Sequence, residues 1–232
     1  GIMCIISSAF CFALMNMFVR MAGDLPSIQK SFFRNFVALI FAGAVIFRSK
    51  EKLHYKKTDL PLLILRSAAG TIGILGNFYA LDRINIADAS MLNKLSPFFV
   101  IIFSYIFLKE KPRLIQVAGV IIAFIGSIFI IKPAFNVSFI DIAPALAGFA
   151  GGMGAGAAYT AVRALGKRGV RGPLIVFFFS GFSCLVTLPY LIFCYHTMTL
   201  YQTGVLLLAG LAASGGQFGI TAAYTYAPAK EI

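Results

Sequence analysis

The chain contains no tryptophan, only two histidines, and eight acidic residues against twenty basic ones. Charged residues make up 12% of it and hydrophobic residues 59%, where a soluble domain carries about 25% and about 45–50%. A soluble core built from 232 residues could not hide that much apolar surface, so the excess requires lipid as a second solvent. The eight acids all fall at the ends of apolar runs or between them. No carboxylate pair is therefore buried in a run to do acid–base chemistry or relay protons, and the coupling ion of any transport cannot be named. His54 and His196 lie in connections, and neither HExxH, GxSxG nor GxxxxGK[ST] occurs, which argues against a metalloprotease, a serine hydrolase and ATP hydrolysis. The four cysteines, Cys4, Cys11, Cys184 and Cys194, sit in apolar runs without CxxC spacing. They imply neither a metal site nor a disulfide framework, and no cofactor is expected.

What is present is a succession of apolar runs. Eight are long enough to cross a bilayer, at about 20 residues each: 2–22, 29–48, 60–81, 87–108, 114–131, 140–163, 173–195 and 200–225. The first run lacks the basic start and clear cleavage site of a signal peptide. The connections are short and no soluble domain intervenes, so the chain reads as one all-α, polytopic membrane unit. The net charge of +12 would suggest nucleic acid in a soluble protein. Here the basic residues occupy short clusters between runs, so no nucleic-acid partner is expected. The second–third, fourth–fifth and sixth–seventh connections together hold twelve (Arg48, Lys50, Lys52, Lys56, Lys57; Lys109, Lys111, Arg113; Arg163, Lys167, Arg168, Arg171), whereas the opposite side holds Arg20, Lys30, Arg83 and Lys132. The positive-inside rule puts the twelve, and the N-terminus, in the cytoplasm of a cell that carries the chain in its plasma or inner membrane.

The sequence also repeats itself. Ala9, Ala13, Asn16 and Arg20 are matched by Gly152, Gly156, Tyr159 and Arg163, at an offset of 143. Gly73, Ala80 and Ala87 are matched by Gly215, Ala222 and Ala229, at 142. A unit of five runs is odd-numbered, so a second copy enters the membrane from the opposite face. Inverted repeats of this kind mark secondary transporters.

The stretches "FYALDRINIADASMLNKLSPFFVIIFSYIFLKEKP" (Phe78–Pro112), "GVIIAFIGSIFIIKP" (Gly119–Pro133) and "AAYTYAPAKEI" (Ala222–Ile232) resemble the drug/metabolite transporter superfamily, specifically its EamA-type permeases. The resemblance implies ten helices in two inverted five-helix repeats. It implies a central cavity formed by helices 1, 3 and 4 with partners 6, 8 and 9, and substrates among amino acids, other metabolites and drugs. On that pattern residues 1–133 form a first repeat and 138–232 an incomplete second one, with eight spans present of the expected ten, since Ile232 matches Ser90 of the first copy.

Candidate cavity residues follow from polar groups set in apolar runs. In "MLNKLSPFFVIIF" (Met91–Phe103), a continuous helix would place Asn93, Lys94 and Pro97 on one stripe. Pro97 would then free the Asn93 carbonyl, which needs a protein or water partner in lipid. Lys94 would lie about 10 Å from the end of its run, at about 1.5 Å per residue. It either snorkels to the headgroups or points into a hydrated cavity, where it favours an anionic substrate group. Arg34 poses the same choice, and Arg66, near the end of its run, is expected to snorkel. Asn77 and Asn16 line the cavity or bond a neighbouring helix. Tyr159, Gln217 and Tyr224 line it or pack. Gly148, Gly152 and Gly156 form a close-packing face or loosen their helix for rocking.

The function expected is a secondary transporter moving a small polar metabolite, an amino acid or related compound, by alternating access, with one repeat rocking against the other. Its partners are the bilayer and a small molecule, with homodimerisation left open. An integral membrane enzyme and a non-transporting assembly subunit are the rivals. The first would need clustered His, Asp or Glu at an interface, and the second a docking domain or long loops; the sequence offers neither.

Overall fold

In the computed structural model, residues 2–49, 56–131 and 139–226 are described. The 133/138 junction, the second-repeat residues beyond 226, and Lys50, Lys52, His54 and Lys132 lie outside them. The described residues form α1 (Ile2–Met21), α2 (Ser27–Arg48), α3 (Leu60–Arg83), α4 (Ile86–Asn93), α5 (Ser96–Leu108), α6 (Leu114–Ile131), α7 (Phe139–Lys167), α8 (Gly172–Cys194) and α9 (Leu200–Tyr226), with one 3₁₀ turn at Lys57–Asp59 and no strand. This is the all-α, polytopic architecture the apolar runs require. Six segments among the described residues, Met3–Met21, Ser27–Arg48, Lys57–Arg83, Ile86–Leu108, Gly172–Cys194 and Leu200–Thr225, are long and apolar enough to span a membrane. The apolar stretch of α6 is shorter. α7 trades large apolar side chains for glycine and alanine because it runs through the interior, packed on α3, α4, α5 and α9. The outer surface is apolar: Phe10, Phe47, Phe129, Leu185, Phe193 and Leu200 all point outward, as lipid-facing side chains must.

The fourth run is broken. α4 ends at Asn93, the chain turns through Lys94 and Leu95, and α5 restarts at Ser96 with Pro97 in its first turn. A proline there costs little, because that N–H would be unsatisfied in any case. The continuous helix expected across Met91–Phe103 is thus corrected to two pieces. Elsewhere the boundaries follow ordinary chemistry. Gly23 and Gly169, at φ of 67° and 78°, end α1 and α7 in the left-handed conformation glycine tolerates. Asn85 caps α4 by accepting from the Ala87 amide at 3.0 Å.

Two seams organise the bundle. α3 runs along α7, and α1 along α9. At the first, a methyl group on Gly76 would meet the Ala147 carbonyl oxygen at 2.5 Å and the Gly151 Cα at 3.1 Å. At the second, one on Gly219 would meet the Cys4 carbonyl oxygen at 3.0 Å and the Ser8 Cβ at 3.1 Å. Gly219, Cys4 and Ser8 stand 143 positions from Gly76, Ala147 and Gly151 respectively. The other glycine face of α7 receives the broken span: Gly152 lies under the Leu92 carbonyl and Gly156 under Phe99. These glycines are packing positions, where backbones approach too closely for a side chain.

The bundle has two chemically distinct ends. At one, Arg168 bonds Asp59 at 3.1 Å, Lys167 and Arg163 reach Glu110 at 2.5 and 3.4 Å, and Arg171 donates to Ser49. These contacts bring Arg163, Lys167, Arg168 and Arg171 together with residues of the second–third and fourth–fifth connections. At the other end, Asp82 holds Lys30 and Ser27, each at 2.6 Å, and Arg20 donates to the Leu81 carbonyl.

Candidate functional site

Between these ends α1, α2, α3, α4, α7, α8 and α9 line a cavity of about 50 Å³, room for a few waters at most. Its polar wall comes from Arg34 on α2, Arg66 and Asn77 on α3, Asn93 at the end of α4, Tyr159 on α7 and Gln217 on α9. Phe12, Met15, Ile74, Phe78 and Phe179 supply the apolar part. At about 50 Å³ the cavity is too small to hold a metabolite as it stands.

The two arginines dominate the chemistry. Each is 1% exposed, and neither has a carboxylate partner among the described residues. Arg66 donates through Nη2 to Gln217 Oε1 at 2.9 Å, and Arg34 donates through Nη1 to Asn35 Oδ1. Asn35 is itself fixed, donating to the Ser31 carbonyl at 2.9 Å and to Ser183 Oγ at 2.8 Å. Both Nε atoms are buried and unpartnered. The ring of Phe179 stands against both cations, its centre 4.1 Å from Arg66 Cζ and 5.8 Å from Arg34 Cζ, which holds the guanidinium carbons within about 10 Å of each other. At an effective dielectric of about 20, two charges about 10 Å apart repel by about 1.7 kcal/mol, and an aromatic face offsets buried cations only in part. Gly70, one turn beyond Arg66, makes the arrangement possible: a methyl group there would overlap Arg66 and come within 2.8 Å of Phe179 Cε2.

Five of the nine residues singled out in the sequence meet at this cavity: Arg34, Asn77, Asn93, Tyr159 and Gln217. Four do not line it. Lys94 and Pro97 are exposed, because the break after Asn93 takes them off the stripe a continuous helix would make. Asn16 is buried one layer behind, its Oδ1 3.5 Å from Asn77 Nδ2. Tyr224 is buried with its ring stacked on Tyr159, centres 5.2 Å apart. Arg34, for which burial and snorkelling were both open, is buried. Arg66 is corrected from a snorkelling residue to the centre of the site, because Gly70 and Gln217 give its head group space and a partner inside the bundle. Phe179 carried no signal: it is one phenylalanine of three in "FFF" within an apolar run.

A second, open depression of about 660 Å³ lies at the Lys30–Asp82 end, lined by Arg20, Asp24, Ser27, Asp82, Arg83, Tyr190 and His196 among others. His196 is tied to α2: its amide donates to Gln29 Oε1 at 3.0 Å, and its carbonyl accepts from Gln29 Nε2 at 2.8 Å.

A lipid-facing helical bundle whose cavity is walled by two cations and four neutral polar side chains is compatible with a membrane transport protein. The comparisons with known proteins agree. Residues 1–132 match the model of the EamA-like transporter family. The pseudopaline exporter CntI of Pseudomonas aeruginosa (strain UCBPP-PA14) is 31% identical over the whole chain and 81% of its own length. An uncharacterized transporter of Helicobacter pylori (strain J99 / ATCC 700824) is 25% identical over the whole chain and 80% of its own length. A solved crystal structure shares the fold with a TM-score of 0.65, at 17% identity, over 94% of this chain and 79% of the other. The chain belongs to the EamA-like transporter family, within the drug/metabolite transporter superfamily. It is a membrane transporter and not an enzyme.

Proposed function

We propose that the protein is a secondary transporter that carries a small polar organic compound, an amino acid or related metabolite, across the cell membrane by alternating access around the Arg34–Arg66 cavity. The observation that carries this reading is the cavity itself. Desolvating two cations costs several kcal/mol each, and a purely structural bundle gains nothing from them. The two ends support a cycle. The basic end is tied shut by the Glu110–Lys167–Arg163 and Asp59–Arg168 pairs, whereas the other end has an open depression. With the basic end cytoplasmic by the positive-inside rule, the conformation is closed inward and partly open outward, and the N-terminus is cytoplasmic.

An inverted duplication supplies the two rocking units. It is supported by the paired seams: exchanging α1 with α7 and α3 with α9 turns one into the other. Their glycines and backbone partners correspond at an offset of 143, one more than the 142 read for the third and eighth runs from sequence. The end contacts follow the same exchange. Arg20 donates to the Leu81 carbonyl and Arg163 to the Thr225 carbonyl. The name of the Pseudomonas relative, an exporter, supports outward movement.

Full-length protein reconstituted in liposomes, assayed for flux of labelled amino acids and organic acids with and without proton or sodium gradients, tests the reading. Saturable flux is expected, lost in Arg66→Met. Flux no faster than through protein-free liposomes for every compound, from protein shown to be folded, refutes it.

A further inference from the structure

We propose that the substrate is a dianion, with one anionic group bound by Arg34 and a second by Arg66, and that Phe179 occupies the space between them until it arrives. The inference rests on the reading of the cavity as the transport site and goes beyond it in naming the charge the substrate carries.

Each guanidinium offers five N–H donors, and the structure uses few of them. Arg66 gives one to Gln217 and Arg34 one to Asn35, and the Nε of each is buried with no acceptor, on side chains that line the cavity. Buried charges in proteins are normally paired. Here the described residues supply no carboxylate to either arginine, and the acceptors available are neutral amides. Among the described residues the counter-charge is missing, and a bound anion would supply it. A single carboxylate held bidentately satisfies one guanidinium and leaves the other as it was. Two anionic groups on one molecule satisfy both and cancel the repulsion between them.

The geometry fits one small molecule. Both Cζ atoms lie against the same ring, at 4.1 and 5.8 Å, so the cations are close enough for a short dicarboxylate to bridge. Phe179 presents its π-face to both and gives each partial compensation. A bound dianion makes that compensation unnecessary, so the ring is free to swing away and widen the present 50 Å³. Gly70, packed against both Arg66 and Phe179, puts no side chain in the way of the movement. Asn77, Asn93 and Tyr159 remain to recognise the rest of the molecule.

The test uses full-length protein in detergent and α,ω-dicarboxylates of four to six carbons as probes, each paired with its monomethyl ester and with the monocarboxylate of equal length. Apparent affinity is read from the thermal shift. We expect at least one diacid to bind at least tenfold more tightly than its own monoester, a comparison that needs no variant. Arg34→Gln and Arg66→Gln each remove at least tenfold of the diacid's affinity and bring it to the level of the monoester, whereas Arg34→Lys and Arg66→Lys retain part of the preference. Monoesters binding as well as diacids, diacid affinity indifferent to both glutamine variants, or no diacid binding at all overturns the proposal. The transport reading fails separately. Diacid binding without flux in liposomes sinks transport and leaves the dianion site standing. Saturable flux of neutral, cationic or monoanionic compounds without preference for diacids sinks the dianion and leaves transport standing.

Discussion

Arg66 on α3 donates to Gln217 on α9 at 2.9 Å, joining two helices from opposite halves of the sequence through two buried side chains. The contact places a permanent cation where a membrane protein can least easily hold one, and its removal separates stability from function. Arg66→Met deletes a desolvated charge, whose burial costs several kcal/mol, and leaves Gln217 Oε1 unpartnered, at about 1–3 kcal/mol. The two effects nearly cancel. The melting temperature in detergent should stay close to wild type while flux falls at least tenfold; a variant that melts early yet still transports contradicts the assignment.

Lys94 provides the contrast. Its side chain is exposed at the turn between α4 and α5, away from the cavity wall. Lys94→Met should change flux by less than about twofold, in keeping with surface substitutions that touch nothing. Abolished flux, with normal amounts of protein in the membrane, would return Lys94 to the transport path.

The glycine seams yield a matched set of stability measurements. Gly76→Ala and Gly219→Ala push a methyl group to within 2.5 and 3.0 Å of a backbone carbonyl oxygen. Each should destabilise by about 1–3 kcal/mol, the usual cost of overpacking. Gly126→Ala in α6, where nothing lies within 4 Å, should be neutral or stabilising by about 0.5–1 kcal/mol, because alanine is the better helix former. Thermal unfolding of the three variants checks the ranking.

Acid should loosen the basic end first. Burial pushes the Glu110 carboxyl up, but Lys167 and Arg163 outweigh it and hold the group below its ordinary value of 4.5. A carboxylate with a depressed folded-state pKa contributes stability in full above its unfolded value and loses it as pH falls through the folded value. Melting temperature should therefore be flat from neutral pH down toward 4.5 and fall below it. Glu110→Gln should lower the plateau and flatten part of the acid limb. An unchanged acid limb shows that the pair contributes nothing.

Orientation is open to chemical labelling. Cys194 is exposed at the Lys30–Asp82 end. In a variant whose other cysteines are replaced, a membrane-impermeant maleimide should modify Cys194 in intact cells. A cysteine placed at Lys111, exposed near the basic end, should react only after permeabilisation. The reverse pattern places the N-terminus outside.

The fold was largely legible because hydrocarbon sets run lengths and glycine spacing sets close faces, and both are properties of residue type. The broken fourth span was half legible. Pro97 announced a disturbance, but whether proline frees a carbonyl inside a helix or starts a new one depends on the residues before it, and Lys94 and Leu95 supply the turn. That displacement is why the stripe joining Asn93, Lys94 and Pro97 did not survive as a surface. Arg66 was hidden by reasoning from depth alone, since a position near a helix end says nothing about whether Gly70 leaves a space inward. Arg34, Asn77, Asn93, Tyr159 and Gln217 were legible because a polar side chain in an apolar run has to find a partner or a cavity. Phe179 has no such requirement, and only its contact with two cations distinguishes it from its neighbours.

The glycine seam between α3 and α7 has a mechanical consequence. Where two helices meet through interlocked side chains, relative movement means lifting knobs out of holes and changing many rotamers together. Along Gly73, Gly76, Gly151 and Gly154 there is bare backbone on both sides, so the surfaces are smooth at the scale of a methyl group. If the halves rock as proposed, such a joint lets one roll over the other with little activation barrier from rotamer rearrangement, and bulk at the seam becomes a brake on turnover as well as a burden on folding.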